Sequence, residues 1–125
     1  MRIISFQLTE RQFLDRTKDV TRRLGWYDAR VGEHLRAVRQ AMGLAKGEKM
    51  VDLGEIVLVS VRRERLDAIT VEECRREGFP DLTPAGFVEM FRRDVGCGEA
   101  AEVARLEFRH VQPKAPKLPF GPPRR

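Results

Sequence analysis

The segment Glu55 to Leu66 most constrains what this 125-residue chain can fold into. Ile56-Val57-Leu58-Val59-Ser60-Val61 is an uninterrupted β-branched and apolar run, which predicts a strand buried on both faces at the centre of a sheet. Arg62 to Arg65 predict its exit into solvent. Such a strand requires neighbours. Arg2 to Leu8, a run starting near Asp19, His34 to Arg39 and Glu102 to Val111 supply them by alternation and by β-branched or aromatic content.

Helix signals fall between these strands. Thr9 with Gln12 forms a capping-box pattern, with Leu8 and Phe13 placed as a hydrophobic staple, and predicts a short helix over Glu10 to Arg16. Thr70 with Glu73 predicts a second helix over Val71 to Glu77, ended by Gly78. Thr83-Pro84 is an N-cap and first-turn pair, and Phe87, Val88, Met90, Phe91 and Val95 form the apolar stripe of a third helix reaching about Asp94. Ala41 to Gly54, with three glycines and the run Lys46-Gly47-Glu48-Lys49, reads as a long connection. The order of elements gives an α+β class.

The length suits one domain with a core of its own, and 42% hydrophobic with 34% charged residues is a globular composition. Residues 1–111 read as that domain. Residues 112–125 hold five of the seven prolines and no acidic residue, and read as a basic flexible tail in which Phe120 is too isolated to fold anything. No apolar run approaches the roughly 20 residues of a membrane span, so no membrane association is expected. No secretory signal is visible after Met1, which makes a cytoplasmic location and a monomeric state the default expectations. Cys74 and Cys97 lack ligand spacing and read as free thiols; no metal or cofactor is expected. Of the formal net charge of +5, the tail basic residues Lys114, Lys117, Arg124 and Arg125 supply four, leaving +1 on the domain. Overall basicity is therefore a weak pointer to nucleic acid; a local excess from Arg16 to Arg39 is a better one.

That excess surrounds the densest chemistry in the chain. Lys18-Asp19-Val20-Thr21-Arg22-Arg23-Leu24-Gly25-Trp26 brings an amine, a hydroxyl, two guanidiniums and an indole into nine residues. As a strand it places Val20, Arg22 and Leu24 on one face and Asp19, Thr21 and Arg23 on the other. A lysine whose proton affinity is lowered by burial or by like charge can serve as base to a threonine nucleophile. A basic strand edge that merely deters edge pairing is the structural alternative. Trp26 could stack on a nucleobase or anchor the core half-buried. Glu77 falls in the last helical turn, where the helix end favours a protonated carboxyl suited to a general acid; a surface glutamate is the alternative. His110 lies on the apolar side of the closing strand and reads as a hydrogen-bonded structural histidine.

The spacing Lys-x-x-Thr-x-Arg, filled by Lys18, Thr21 and Arg23 after a strand and a short helix, resembles the ASCH family of PUA-like domains. The resemblance runs from the first strand through Phe108 and includes Glu77-Gly78-Phe79-Pro80 after a helix. The family often has a glycine two residues before the lysine, where this chain has Arg16. The resemblance implies a small mixed β-barrel with helices covering its ends. It further implies an amidohydrolase that removes the acetyl group of N4-acetylcytidine, with Lys18, Thr21 and Glu77 catalytic and no cofactor. Arg23 and Trp26 are then candidate substrate-binding residues. The wider group also implies two alternatives: a module that binds RNA or a modified nucleotide without turnover, and a ribonuclease. A third possibility is an adaptor acting through the tail.

Overall fold

The computed structural model describes residues 1–113, so residues 114–125, most of the expected tail, lie outside the described residues. Five strands form one mixed sheet: β1 (Arg2–Ser5), β2 (Val20–Arg23), β3 (His34–Val38), β4 (Asp52–Arg65) and β5 (Glu102–His110). Their spatial order is β1-β3-β4-β5-β2, with β1 parallel to β3 and every other pair antiparallel. The sheet curls into a half-barrel, and three helices accompany it: α1 (Glu10–Leu14), α2 (Val71–Arg76) and α3 (Pro84–Val95). The class is α+β, as expected.

β4 occupies the middle of the sheet, but it is not buried on both faces. Ile56 and Leu58 enter the core, whereas Val57 and Val59 are only half-buried; Val61, also half-buried, packs against the core. The strand also starts three residues earlier than expected, and its pairing to β5 shifts register between Leu58 and Ser60. That shift is a bulge, which bends a strand and adds twist.

The interior of the curl holds Ile4, Phe6, Phe13, Leu35, Ile56, Leu58, Leu106 and Phe108. Phe6 and Phe13 stack with centroids 4.4 Å apart, so the single buried residue of α1 plugs the curl. His110 packs on the same Phe13 ring at 4.5 Å. Its buried Nε2 has no hydrogen-bond partner among the described residues, so it is held by packing rather than by the hydrogen bond expected. A second cluster, with Leu66, Cys74, Phe87, Phe91 and Val103, sits beneath α2 and α3.

Local signals held unevenly. Thr83 caps α3 by accepting from Gly86 N at 3.0 Å, and Thr70 caps α2 by accepting from Glu73 N at 3.2 Å. The first capping box does not form: Thr9 makes no side-chain cap bond, Gln12 instead donates to Gly78 O, and Leu8 is largely exposed rather than stapled to Phe13. Val95, expected in the core stripe, is also exposed. Arg16, placed in the helix by its sequence, lies beyond its end in the left-handed region at φ 68°, the one non-glycine residue there among those described. It occupies the position where the resembling family often has glycine.

Candidate functional site

β1 and β2 are the two edges of the sheet, and the seam between them is closed by a side chain rather than by a backbone ladder. Arg23 Nη2 donates to Ser5 O at 2.6 Å, with its guanidinium 5.1 Å above the Phe6 ring. A cavity of about 260 Å³ opens at this seam. Ser5 to Thr9 form one wall, Lys18 and Thr21 to Arg23 a second, and Glu77 with Phe79 the floor toward α2. Phe87, Met90, Phe91 and Asp94 of α3 complete the lining.

Lys18, Thr21, Arg23 and Glu77 all reach this cavity; Trp26 does not. Trp26 is half-buried against the core, with the Arg2 guanidinium 4.5 Å over its ring.

Lys18 leaves the helix-to-strand junction with its backbone N–H on Gln12 O. Its Nζ, 2% exposed with the rest of the residue, donates to Glu77 O at 2.9 Å and Glu77 Oε1 at 2.7 Å. Burial pushes this ammonium below the ordinary lysine range, against the opposing pull of Glu77. Thr21, also buried, does not bond to Lys18; its Oγ1 accepts from Arg23 Nε at 3.0 Å. Desolvation pushes Arg23 down to about 10, which leaves it charged at neutral pH.

Glu77 is the C-cap of α2, and Arg22 Nη1 donates to its Oε2 at 3.1 Å. With one cation on each oxygen it sits as a counter-ion rather than as a free surface acid. Arg22 was expected merely to share the packing face of β2. It is instead the centre of a buried network, its side chain fully covered. It also donates to Glu64 Oε1 at 2.6 Å and to Glu73 Oε1 at 2.8 Å. Arg105 grips Glu73 with two bonds, at 2.6 and 3.0 Å. Burial alone would raise the Glu73 carboxyl, but Arg105 and Arg22 reverse this and hold it at about 2. The available signal was spacing: Glu73 and Glu77, four residues apart, fall on one side of α2 and its C-cap, and Arg22 shares a strand face with Val20 and Leu24. Each is odd alone, and together they form a charge-balanced set.

Several basic residues in and around the local excess are paired with carboxylates at the surface. Arg2 pairs with Glu33 and Asp28, Arg36 with Asp52 and Glu55, and Arg39 with Glu10. Among the described residues no cluster of His, Cys, Asp and Glu could hold a metal ion, and no helix is long and apolar enough to cross a membrane. Cys74 and Cys97 are free.

No family model matches the chain, and no curated protein matches it. Among solved structures it is similar to the crystal structure of protein EF3133 from Enterococcus faecalis, of the family DUF984. The TM-score is 0.66 at 12% sequence identity, over 89% of this chain and 76% of that chain. At that identity the likeness is one of fold.

Proposed function

We propose that this protein is an amidohydrolase that removes an acyl group from the exocyclic N4 of an acylated cytidine, with N4-acetylcytidine as the simplest substrate. The observation that carries the reading is that Lys18, Thr21 and Glu77, the three residues the ASCH resemblance assigns to this reaction, line one cavity although 59 residues separate the lysine from the glutamate. The sequence spacing alone does not require that convergence.

The chemistry follows from the contacts. Lys18 passes a proton to Glu77 Oε1 along their 2.7 Å hydrogen bond and, now neutral, turns to Thr21 as its base. Thr21 Oγ1 attacks the amide carbon and gives its proton to Lys18 Nζ. Arg23, already on Thr21 Oγ1, meets the charge that develops on the carbonyl oxygen. Glu77 returns its proton to the departing N4 amine as the C–N bond breaks, leaving acyl-Thr21. Water repeats the cycle: Lys18 takes its proton, the hydroxide oxygen attacks the ester, and Glu77 reprotonates Thr21 Oγ1. Arg22 holds Glu77 in place throughout.

Binding of RNA without turnover is the weaker reading, because part of the basic stretch that a phosphate backbone would use, Arg36 and Arg39, already faces carboxylates. The test is incubation of purified protein with N4-acetylcytidine, following cytidine release, with a labelled single-stranded RNA alongside. Cytidine release by wild type and its loss in Thr21→Ala, with ligand binding kept, is the expected result. No release, with RNA bound or cut, would transfer the reading to the binding module or the ribonuclease.

A further inference from the structure

Arg23, half-buried, differs from the two buried arginines, Arg22 and Arg105. Arg22 and Arg105 are surrounded by carboxylates, whereas Arg23 pairs with none among the described residues. Its Nε and Nη2 go to neutral oxygens, Thr21 Oγ1 and Ser5 O, and its Nη1 makes no hydrogen bond among the described residues. A guanidinium taken partly out of water without a counter-ion is under-compensated, and an anion restores the balance. Beside it, Thr21 Oγ1 uses a lone pair to accept from Arg23, so its hydroxyl proton is free to donate. Both groups line the cavity.

We propose that Arg23 and Thr21 form a binding site for a small monocarboxylate, with the carboxylate on Arg23 Nη1–H and the Thr21 hydroxyl and its alkyl end against Phe79, Phe87 and Phe91. The rest of the lining selects within the anions. Glu77 and Asp94 line the same 260 Å³ cavity and offset part of the charge of Lys18, Arg22 and Arg23, and because the cost of stripping water from an ion rises with the square of its charge, so weakly positive a cavity favours a monoanion over a dianion such as phosphate. The phenylalanines favour an alkyl end over a third and fourth oxygen. The site itself stands on this geometry; that its natural occupant is the acid released by acyl hydrolysis rests on the proposed function. In that case the acid is retained after turnover as a competitive inhibitor.

The probe is sodium acetate, titrated calorimetrically into protein in chloride buffer at constant ionic strength, with formate, butyrate and phosphate as parallel arms. Acetate is expected to bind one to one, butyrate at least as well, and phosphate at least tenfold more weakly. Thr21→Val, which keeps shape but removes the hydroxyl, should weaken acetate roughly tenfold, as expected for one hydrogen bond to a charged group. Arg23→Gln should abolish binding. Absence of acetate binding, phosphate binding as tightly as acetate, or unchanged affinity in Thr21→Val would overturn the site, even if Arg23→Gln fails to fold. Acetate binding without hydrolysis of N4-acetylcytidine would uphold the site and remove the hydrolase; hydrolysis without acetate binding or inhibition would do the reverse.

Discussion

Replacing Glu73 by Gln tests the buried network quantitatively. Glu73 is 11% exposed at its side chain and receives three hydrogen bonds from Arg22 and Arg105. Its carboxyl, held at about 2 against an ordinary glutamate value of about 4.5, represents roughly 3 kcal/mol of folding free energy at neutral pH. The folded value is depressed, so this contribution is complete above the unfolded value and is lost as pH falls from about 4.5 toward about 2; roughly 2 kcal/mol of it is gone by pH 3. Glu73→Gln keeps the shape but leaves two guanidiniums short of a charge, a loss of about 3–5 kcal/mol at pH 6.5. Urea unfolding of both proteins at pH 6.5 and pH 3 gives the decisive quantity, their difference in stability at each pH. That difference should shrink by roughly 2 kcal/mol at pH 3, because protonation removes from the wild type the charge that the variant already lacks. A difference that stays constant would show that Glu73 titrates like an ordinary exposed glutamate and that the network does not govern acid stability.

Three further outcomes follow from the geometry. Arg16→Gly relieves a left-handed residue and should stabilise the fold by roughly 0.5–1 kcal/mol after the extra chain entropy of glycine is subtracted; an unchanged or lower urea midpoint would contradict this. Gly78→Ala should cost about 2 kcal/mol or more, since φ is +99° and the new Cβ would lie 2.8 Å from Gln12 Cβ, and a thermal scan matching wild type would refute the crowding. Lys18→Arg retains a charge beside Glu77 but cannot supply a base, so steady-state hydrolysis of N4-acetylcytidine should fall at least a hundredfold; near-normal turnover would remove Lys18 from the mechanism.

Local patterns were enough to find the five strands and three helices: alternation or a continuous apolar run for the strands, cap signals for α1 and α2, and an apolar stripe for α3. It could not tell that β4 would be only half-covered, since coverage depends on where α2 and α3 settle, which no local pattern encodes. Lys18, Thr21 and Arg23 were legible through their spacing, which fixes them on one short strand and the junction before it. Arg22 was visible as a residue on a packing face but not as the hub of a network, because Glu64, Glu73 and Glu77 come to it from elements 42, 51 and 55 residues away. The Thr9 and Gln12 cap failed for a similar reason: Gly78, distant in sequence, offers Gln12 a tertiary partner that local pairing had to compete with. Trp26 shows the limit of composition, since an aromatic beside basic residues in sequence turned away from the cavity in space.

The seam between β1 and β2 carries a geometric consequence. Adjacent strands in a ladder are locked at about 4.8 Å by paired backbone groups, but these two edges are spanned by one extended arginine reaching from Arg23 to Ser5 O. The seam is thus bridged by a side chain that also lines the cavity. A shorter residue at this position would remove the bridge and leave the backbone pairings of β1 to β3 and of β2 to β5 to hold the edges, so the openness of the seam depends on one side chain.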